Sequence, residues 1–291
     1  MPDKKYRLIT RADFDGVVCG SLFQELDMIE DVAFAEPGDM QAGRVAVTGR
    51  DITANLPFVE GVHLCFDHHA SETQRVADRP NRIIDSAAPS AARVVYNHFG
   101  GKKGFPAISD DLIKAVDQAD SADYSEEDIL APDKWALLNF IIDPRTGIGR
   151  FKDFSTTNEQ FMLALMTYCR HIPIDEIMRL PEVEERVHRY LEHEERAEHQ
   201  IVRCATLHGG LVVLDMRRES TIYAANRFTV YGLYPHCTLS LHVLKAESPG
   251  RVRFALGHSI LNRTSKVDAG AVLRELGGGG HNATALLAVF F

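Results

Sequence analysis

The chain has 291 residues, 45% hydrophobic and 25% charged, and its 32 Lys and Arg against 41 Asp and Glu leave a net charge of −9. A chain of this length buries a sizeable core without disulfides or a structural metal, and its acidity argues against broad electrostatic binding of long duplex nucleic acid. With no apolar run of the roughly 18 residues a membrane span needs, no visible signal peptide and five scattered cysteines (Cys19, Cys65, Cys169, Cys204 and Cys237) without a C-x-x-C pair, a cytoplasmic protein with reduced thiols is expected.

The first third of the sequence alternates strand and helix. Arg7–Thr10 reads as a strand, Val17–Ile29 as a helix, Val32–Ala35 as a second strand and Arg44–Thr48 as a third. Val62–Phe66 is a nearly continuous apolar run, as a strand buried on both faces requires. Pro89–Phe99, with Pro in its first turn, and Asp110–Ala119 read as helices, and the acidic segment Asp120–Asp123 follows. Alternation of this kind predicts a parallel α/β sheet, whose ligands bind beyond the carboxyl ends of the strands. The middle reads as helical, with Asn158–Cys169 and the longer Pro181–Cys204. The charge of the second is spread round most faces, as in a connecting helix. A domain boundary is expected near its end, giving domains 1–203 and 204–291. In the second domain Leu211–Leu214, Thr238–Leu244 and Arg251–Leu256 read as strands. Asp268–Leu276 reads as a short helix that ends in Gly277-Gly278-Gly279-Gly280-His281, before a last apolar strand to Phe291. That pattern predicts a small α+β domain.

Two strand ends carry the chemistry. Asp13 and Asp15 follow the first strand, just before Gly16 and a helix. Alone they are ambiguous, because Asp is a favoured helix N-cap and D-x-D is common. Asp67-His68-His69 follows the buried Val62–Phe66 run, and two adjacent His in that position are hard to explain as packing. Asp and His are standard ligands for Mn²⁺ and similar divalent ions, and a carboxylate also orients a ligating ring from behind. The four glycines before His281 form either a flexible turn or a backbone nest that approaches a phosphate closely. His188, His193 and His199 make no H-E-x-x-H pattern and read as exposed helix residues, and Trp135 reads as core.

On these residues the sequence resembles the DHH phosphoesterase superfamily. Asp67-His68-His69 matches the motif that names it. Arg11-Ala-Asp13-Phe-Asp15-Gly16 matches the first motif, usually His-x-Asp-x-Asp-Gly, and Gly277–His281 matches the glycine-rich GGGH motif of the DHHA1 domain. The motifs occur in order and together span almost the whole chain. The resemblance looks closest to exopolyphosphatase-related members, and it extends to the nanoRNase/phosphoadenosine-phosphatase and RecJ-type branches.

The resemblance implies a parallel-sheet DHH domain joined by a helical linker to a smaller α+β DHHA1 domain. It also implies a dinuclear metal site, usually Mn²⁺, with Mg²⁺ or Co²⁺ as substitutes. Asp13 and Asp15 would each serve one metal, and an Asp after the third strand would bridge them. Asp51 is the choice for that bridge and Asp39 the poorer alternative. His68 would be a ligand, His69 would line the substrate side and Asp67 would orient the pair. Asp120 best matches the fourth motif, with Asp117 and Asp123 nearby. In the second domain Arg263, Gly278, Gly279, Gly280 and His281 would contact phosphate or a terminal nucleotide, with Asn226 and Arg227 as weaker candidates. The implied reaction is two-metal hydrolysis of a terminal phosphoester or phosphoanhydride. The implied substrate is a small polyanion: polyphosphate, a short oligonucleotide or a nucleotide. A homodimer is compatible with this reading, and a membrane is not involved.

Two departures stand out. Arg11 occupies the position of a His ligand, and a guanidinium is always charged and cannot ligate. This predicts a guanidinium that contacts phosphate and acts beside the catalytic His69 and Asp67, or a one-metal or catalytically weakened, nucleotide-binding site. The sequence after His281 reads Asn282-Ala283-Thr284-Ala285-Leu286, without the glycine of the usual GGGGH-x-x-Ala-Ala-Gly.

Overall fold

The computed structural model describes residues 5–246, 251–280 and 284–290. The chain divides into two compact units. One holds the residues up to Asp123 together with Asp133–Pro144 and Ile148–Val187; the other holds Tyr124–Pro132, Arg145–Gly147 and the chain from His188 onward.

In chain order the elements are β1 (Tyr6–Thr10), α1 (Phe14–Glu25), β2 (Ile29–Phe34), α2 (Pro37–Gln41), β3 (Asp51–Ala54), β4 (Leu64–Asp67), α3 (Ala70–Arg75), β5 (Arg82–Ile84), α4 (Ala91–His98) and α5 (Asp110–Asp120). There follow α6 (Glu126–Leu130), α7 (Lys134–Ile142), α8 (Asn158–His171), α9 (Ile174–Ile177) and α10 (Pro181–Cys204). The remaining elements are β6 (Ala205–His208), β7 (Leu211–Asp215), α11 (Thr229–Leu233), β8 (Leu239–Lys245), β9 (Arg251–His258), α12 (Ala269–Glu275), β10 (Gly279–Gly280) and β11 (Thr284–Phe290).

The first unit is an α/β fold on a five-stranded sheet of order β2-β1-β3-β4-β5, in which every pairing is parallel. Leu8, Ile9, Ile52, Ala54 and Phe66 are fully buried in it. The register pairs Thr10 with Ala54 and Ala54 with Phe66, so β1, β3 and β4 end level at one edge. Helix α1 is buried from Phe14 through Phe23. It begins three residues before the expected start, because Asp13 caps it and Phe14 already packs inward.

The third strand departs from expectation. Residues 44–48 form no strand; Val45 and Val47 only lean on a cluster of Ile9, Met40 and Leu56. The strand is Asp51–Ala54, buried at every position between β1 and β4. A buried four-residue strand that opens with an acid hides from hydropathy. It is stable because Arg7 on β1, its partner in register, neutralises Asp51.

The second unit carries a six-stranded mixed sheet of order β10-β11-β9-β8-β7-β6. Only β7 and β8 pair in parallel. Helix α12 covers it through Ala269 and Leu273, which pack with Leu256, Leu211, Leu239, Leu241 and Phe254. This is the expected α+β arrangement, with the edge strands β6 and β10 in addition.

Helix α10 has its expected span but a more specific surface. Val183, Arg186, Tyr190, Ala197 and Ile201 form a buried stripe at helical spacing. Arg186 disguises that stripe: its guanidinium lies 4.5 Å from the Phe154 ring centre and 4.0 Å from that of Phe161. It also donates to the Thr156 and Glu182 carbonyls. No helix among the described residues is long and apolar enough to cross a membrane.

Candidate active site

The level strand ends of the first unit deliver three short segments to one sheet edge: Arg11–Asp15 after β1, Asn55 after β3 and Asp67–His69 at the end of β4. Asp13 is the N-cap of α1, and its Oδ1 accepts the Gly16 N–H at 3.0 Å. That turn needs glycine, since a Cβ on Gly16 would sit 2.0 Å from the Arg11 carbonyl oxygen.

Asp15 is 2% exposed and faces the start of α4. Its two oxygens accept the N–H groups of Ala91 (3.0 Å) and Ala92 (2.8 Å), the unpaired donors of a helix N-terminus. Burial, reinforced by the charges of Asp120 and Asp13, pushes its carboxyl up to about 8. Crowded carboxylates of this kind are relieved by a proton or by a cation.

His68 Nδ1 faces the Ala88 carbonyl at 3.2 Å, and its Nε2 lies 2.8 Å from Asp120 Oδ2. The Nε2 contact has the distance of an ion pair without the alignment of a hydrogen bond. Burial disfavours the charged ring, but Asp120 and Asp15 outweigh it and hold the imidazole well above its ordinary range. An Nδ1–H donated to Ala88 leaves the Nε2 lone pair free for a metal. Ligand atoms of Asp15, His68 and Asp120 lie within 4.8 Å of one another.

Asp67 is buried, and its Oδ1 accepts from the His68 N–H at 2.9 Å and faces His69 Nδ1 at 2.7 Å. That bond raises the His69 pKa and turns a half-exposed ring so that Nε2 points away from the carboxylate.

Of the acids near the end of α5, the cluster takes Asp120. Asp117 instead accepts from Ser90 Oγ at 2.8 Å and pairs with Arg93. Asp51 is not brought to the cluster. Its register with Arg7 puts it at the opposite, amino edge of the sheet. There it accepts from Arg7 Nε (2.8 Å) and from the Thr48 N–H (2.6 Å) and hydroxyl (3.1 Å). Burial works against this carboxylate, yet these donors hold it below its usual range. Asp39 is ion-paired with Arg44, 2.7 Å from its Nε.

The residue that does follow β3 is Asn55. It is 1% exposed, sits at φ 56°, and its Nδ2 donates to Asp13 Oδ1 at 3.1 Å. Asn tolerates this left-handed conformation better than most residues. Hydropathy does not mark it, because the pattern points to a strand at 44–48 and the strand that precedes Asn55 is Asp51–Ala54. Arg11 Nη1 lies 3.3 Å from the other oxygen of Asp13.

In the second unit the glycine run has two local duties. Gly277, at φ 88°, follows the end of α12; its N–H bonds the Arg274 carbonyl, and that of Gly278 bonds the Leu273 carbonyl at 2.7 Å. Those two bonds form a Schellman motif, so the Gly278 N–H points into the helix end and not toward a ligand. Gly279 and Gly280 pair with Leu286 and Ala285 in the sheet. His281 lies outside the described residues. Arg263 Nε donates to the Ile260 carbonyl. Asn226 is buried and bonds the Ile129 carbonyl and the Tyr190 hydroxyl, and Arg227 lies over the Phe228 ring.

No family model and no curated protein matches the chain. Among solved structures, a pGpG-specific phosphodiesterase, PggH from Vibrio cholerae, is 44% identical, over 99% of this chain and 94% of that one, with a TM-score of 0.89. CDC45 from Entamoeba histolytica shares the fold at 9% identity and a TM-score of 0.51, over 99% of this chain and 93% of that one. The likeness to the phosphodiesterase at this identity, with Asp67-His68-His69 standing where parallel strands deliver it to Asp15 and Asp120, assigns the chain to the DHH family of phosphoesterases.

Proposed function

We propose that this chain is a divalent-metal-dependent phosphodiesterase that hydrolyses a short linear oligonucleotide, with a pGpG-type dinucleotide as the first candidate substrate. The observation that carries the reading is the 44% identity, along nearly the full length of both chains, to a pGpG-specific phosphodiesterase. The convergence of Asp15, His68 and Asp120 supports it. These three would hold the cation, with Mn²⁺ preferred for a mixed carboxylate and imidazole set. The cation supplies Lewis acidity toward a phosphoryl oxygen and toward water. Asp67 fixes His69 at Nδ1, so that Nε2 is the atom that protonates the leaving oxygen as water adds to phosphorus, the P–O bond breaks and the proton lost by that water passes to solvent. The bond to Asp67 favours the protonated ring and raises the His69 pKa. In the second unit Arg263, Gly279, Gly280 and His281 are the proposed substrate contacts, with the Gly278 N–H excluded by its role at the helix end.

The test is a substrate panel of pGpG, longer oligonucleotides, phosphoadenosine phosphate and polyphosphate, assayed with Mn²⁺ and after chelation. The expected result is mononucleotide release from pGpG, abolished by chelator, with kcat/KM lowered by about 100-fold or more in His68→Ala. A His68→Ala protein with the wild-type rate, or turnover confined to polyphosphate, sinks the reading.

A further inference from the structure

We infer that the active site holds a single divalent cation, at Asp15, His68 and Asp120, and that an Arg11–Asp13–Asn55 network stands where the family's first-motif metal would bind. This deepens the function proposed above and rests on it. The family resemblance implies two metals, the one beside Asp13 completed by a His and a bridging Asp. At those positions this chain has Arg11 and Asn55.

The geometry is that of a carboxylate held by donors at both oxygens, although Asn55 Oδ1 and Arg11 Nε are themselves buried without a hydrogen-bond partner among the described residues. Asp13 is 9% exposed, and donors already engage both of its oxygens. Oδ1 accepts from the Gly16 N–H at 3.0 Å and from Asn55 Nδ2 at 3.1 Å; Oδ2 lies 3.3 Å from Arg11 Nη1. Arg11 cannot give up a proton and offers no lone pair. Asn55 offers its NH₂ to Asp13, and turning the amide over would set its oxygen against the carboxylate. With both Asp13 oxygens taken and no lone pair on Arg11, the unpartnered Asn55 amide oxygen is the one neutral donor left, too little to hold a divalent cation beside a fixed guanidinium.

Charge balance gives the same answer. With the ion bound and His68 ligating as a neutral ring, Asp15 and Asp120 contribute two negative charges, which one divalent cation offsets. Asp13 and Arg11 already cancel each other. A second divalent ion there would leave an excess of positive charge in a largely buried site, which is costly. The fixed guanidinium thus does by charge what a second cation would do, without an ion to acquire. The substitution also accounts for Asn55 in place of an acid, since an acid there would lack the cation that offsets it.

The experiment equilibrates the full chain with Mn²⁺, removes free ion and measures bound metal by elemental analysis, with electron paramagnetic resonance on the same sample. The expected result is about one Mn²⁺ per chain with the hyperfine-split signal of an isolated ion. His68→Ala should lose that ion, and Arg11→His combined with Asn55→Asp should gain a second, spin-coupled one. Two ions in the wild-type chain would overturn the inference and leave the proposed function standing. No bound ion would overturn the metal dependence of the proposed function and this inference with it. A folded double variant, checked by circular dichroism, that stays at one ion would overturn the assignment to Arg11 and Asn55. Should that variant not fold, the wild-type stoichiometry and spectrum decide the matter alone.

Discussion

Asp51 opens β3 and Asn55 follows it, four residues on, and the two do different work. Asp51, at the amino end of β3, is structural: buried, paired with Arg7 and capped by Thr48. Replacing it by Asn should destabilise the fold at neutral pH by about 1–3 kcal/mol, the range for hydrogen bonds to a charged group. Its native pKa is depressed, so its contribution is fully present above the ordinary carboxylate value of about 4. It is lost as pH falls through the native value. Denaturant titrations of both proteins at pH 7 and pH 3 check this, and the gap between them should shrink at the lower pH. Asn55, just past the carboxyl end, bonds Asp13 at the candidate active site. Asp13, Asp15 and Asp67–His69 were legible because each lies within a few residues of a clear strand end. Asn55 was not, because its role depends on where a four-residue strand stops, and hydropathy locates such a strand poorly when it begins with a charge.

At the scale of elements, the start of α4 links stability to the site. Ser90 caps it by accepting the Arg93 N–H and donates to Asp117, while the next two N–H groups hold Asp15. Ser90→Ala should cost about 1–2 kcal/mol in stability, as lost caps do. It should also weaken Mn²⁺ binding, since the donors that place Asp15 then sit on a frayed turn. Urea midpoints and Mn²⁺ titration calorimetry measure the two effects, and unchanged metal affinity would separate the cap from the site. The contact between Ser90 and Asp117 spans 27 residues, so the sequence presented Asp117 as a candidate ligand with nothing to mark it as occupied. Helix α10 teaches the same lesson in another way. Its ends were readable, but its buried stripe was hidden by Arg186, whose charge is accommodated between two aromatic rings contributed from residues far along the chain.

At the scale of the molecule, one cation should couple the site to the stability of the unit that carries it. A ligand at 100 times its Kd stabilises the native state by about 2.7 kcal/mol, which for a unit of this size raises Tm by about 5–10 °C. Calorimetry with and without Mn²⁺ should show that rise, and Asp15→Asn should remove it; an equal rise in the variant would place the binding elsewhere. The sequence by itself determined the alternating α/β pattern, the mixed character of the last part of the chain and the motifs at two strand ends, since all of these are local in hydropathy and residue type. Only the tertiary structure decided which acids meet. Parallel register levels Thr10, Ala54 and Phe66 at one edge. That register brings Asn55 to Asp13 and sends Asp51 to the far edge, and the end of α5 sets Asp120 against His68. Side chains tens of residues apart become neighbours through strand pairing, and pairing is a property of the folded chain.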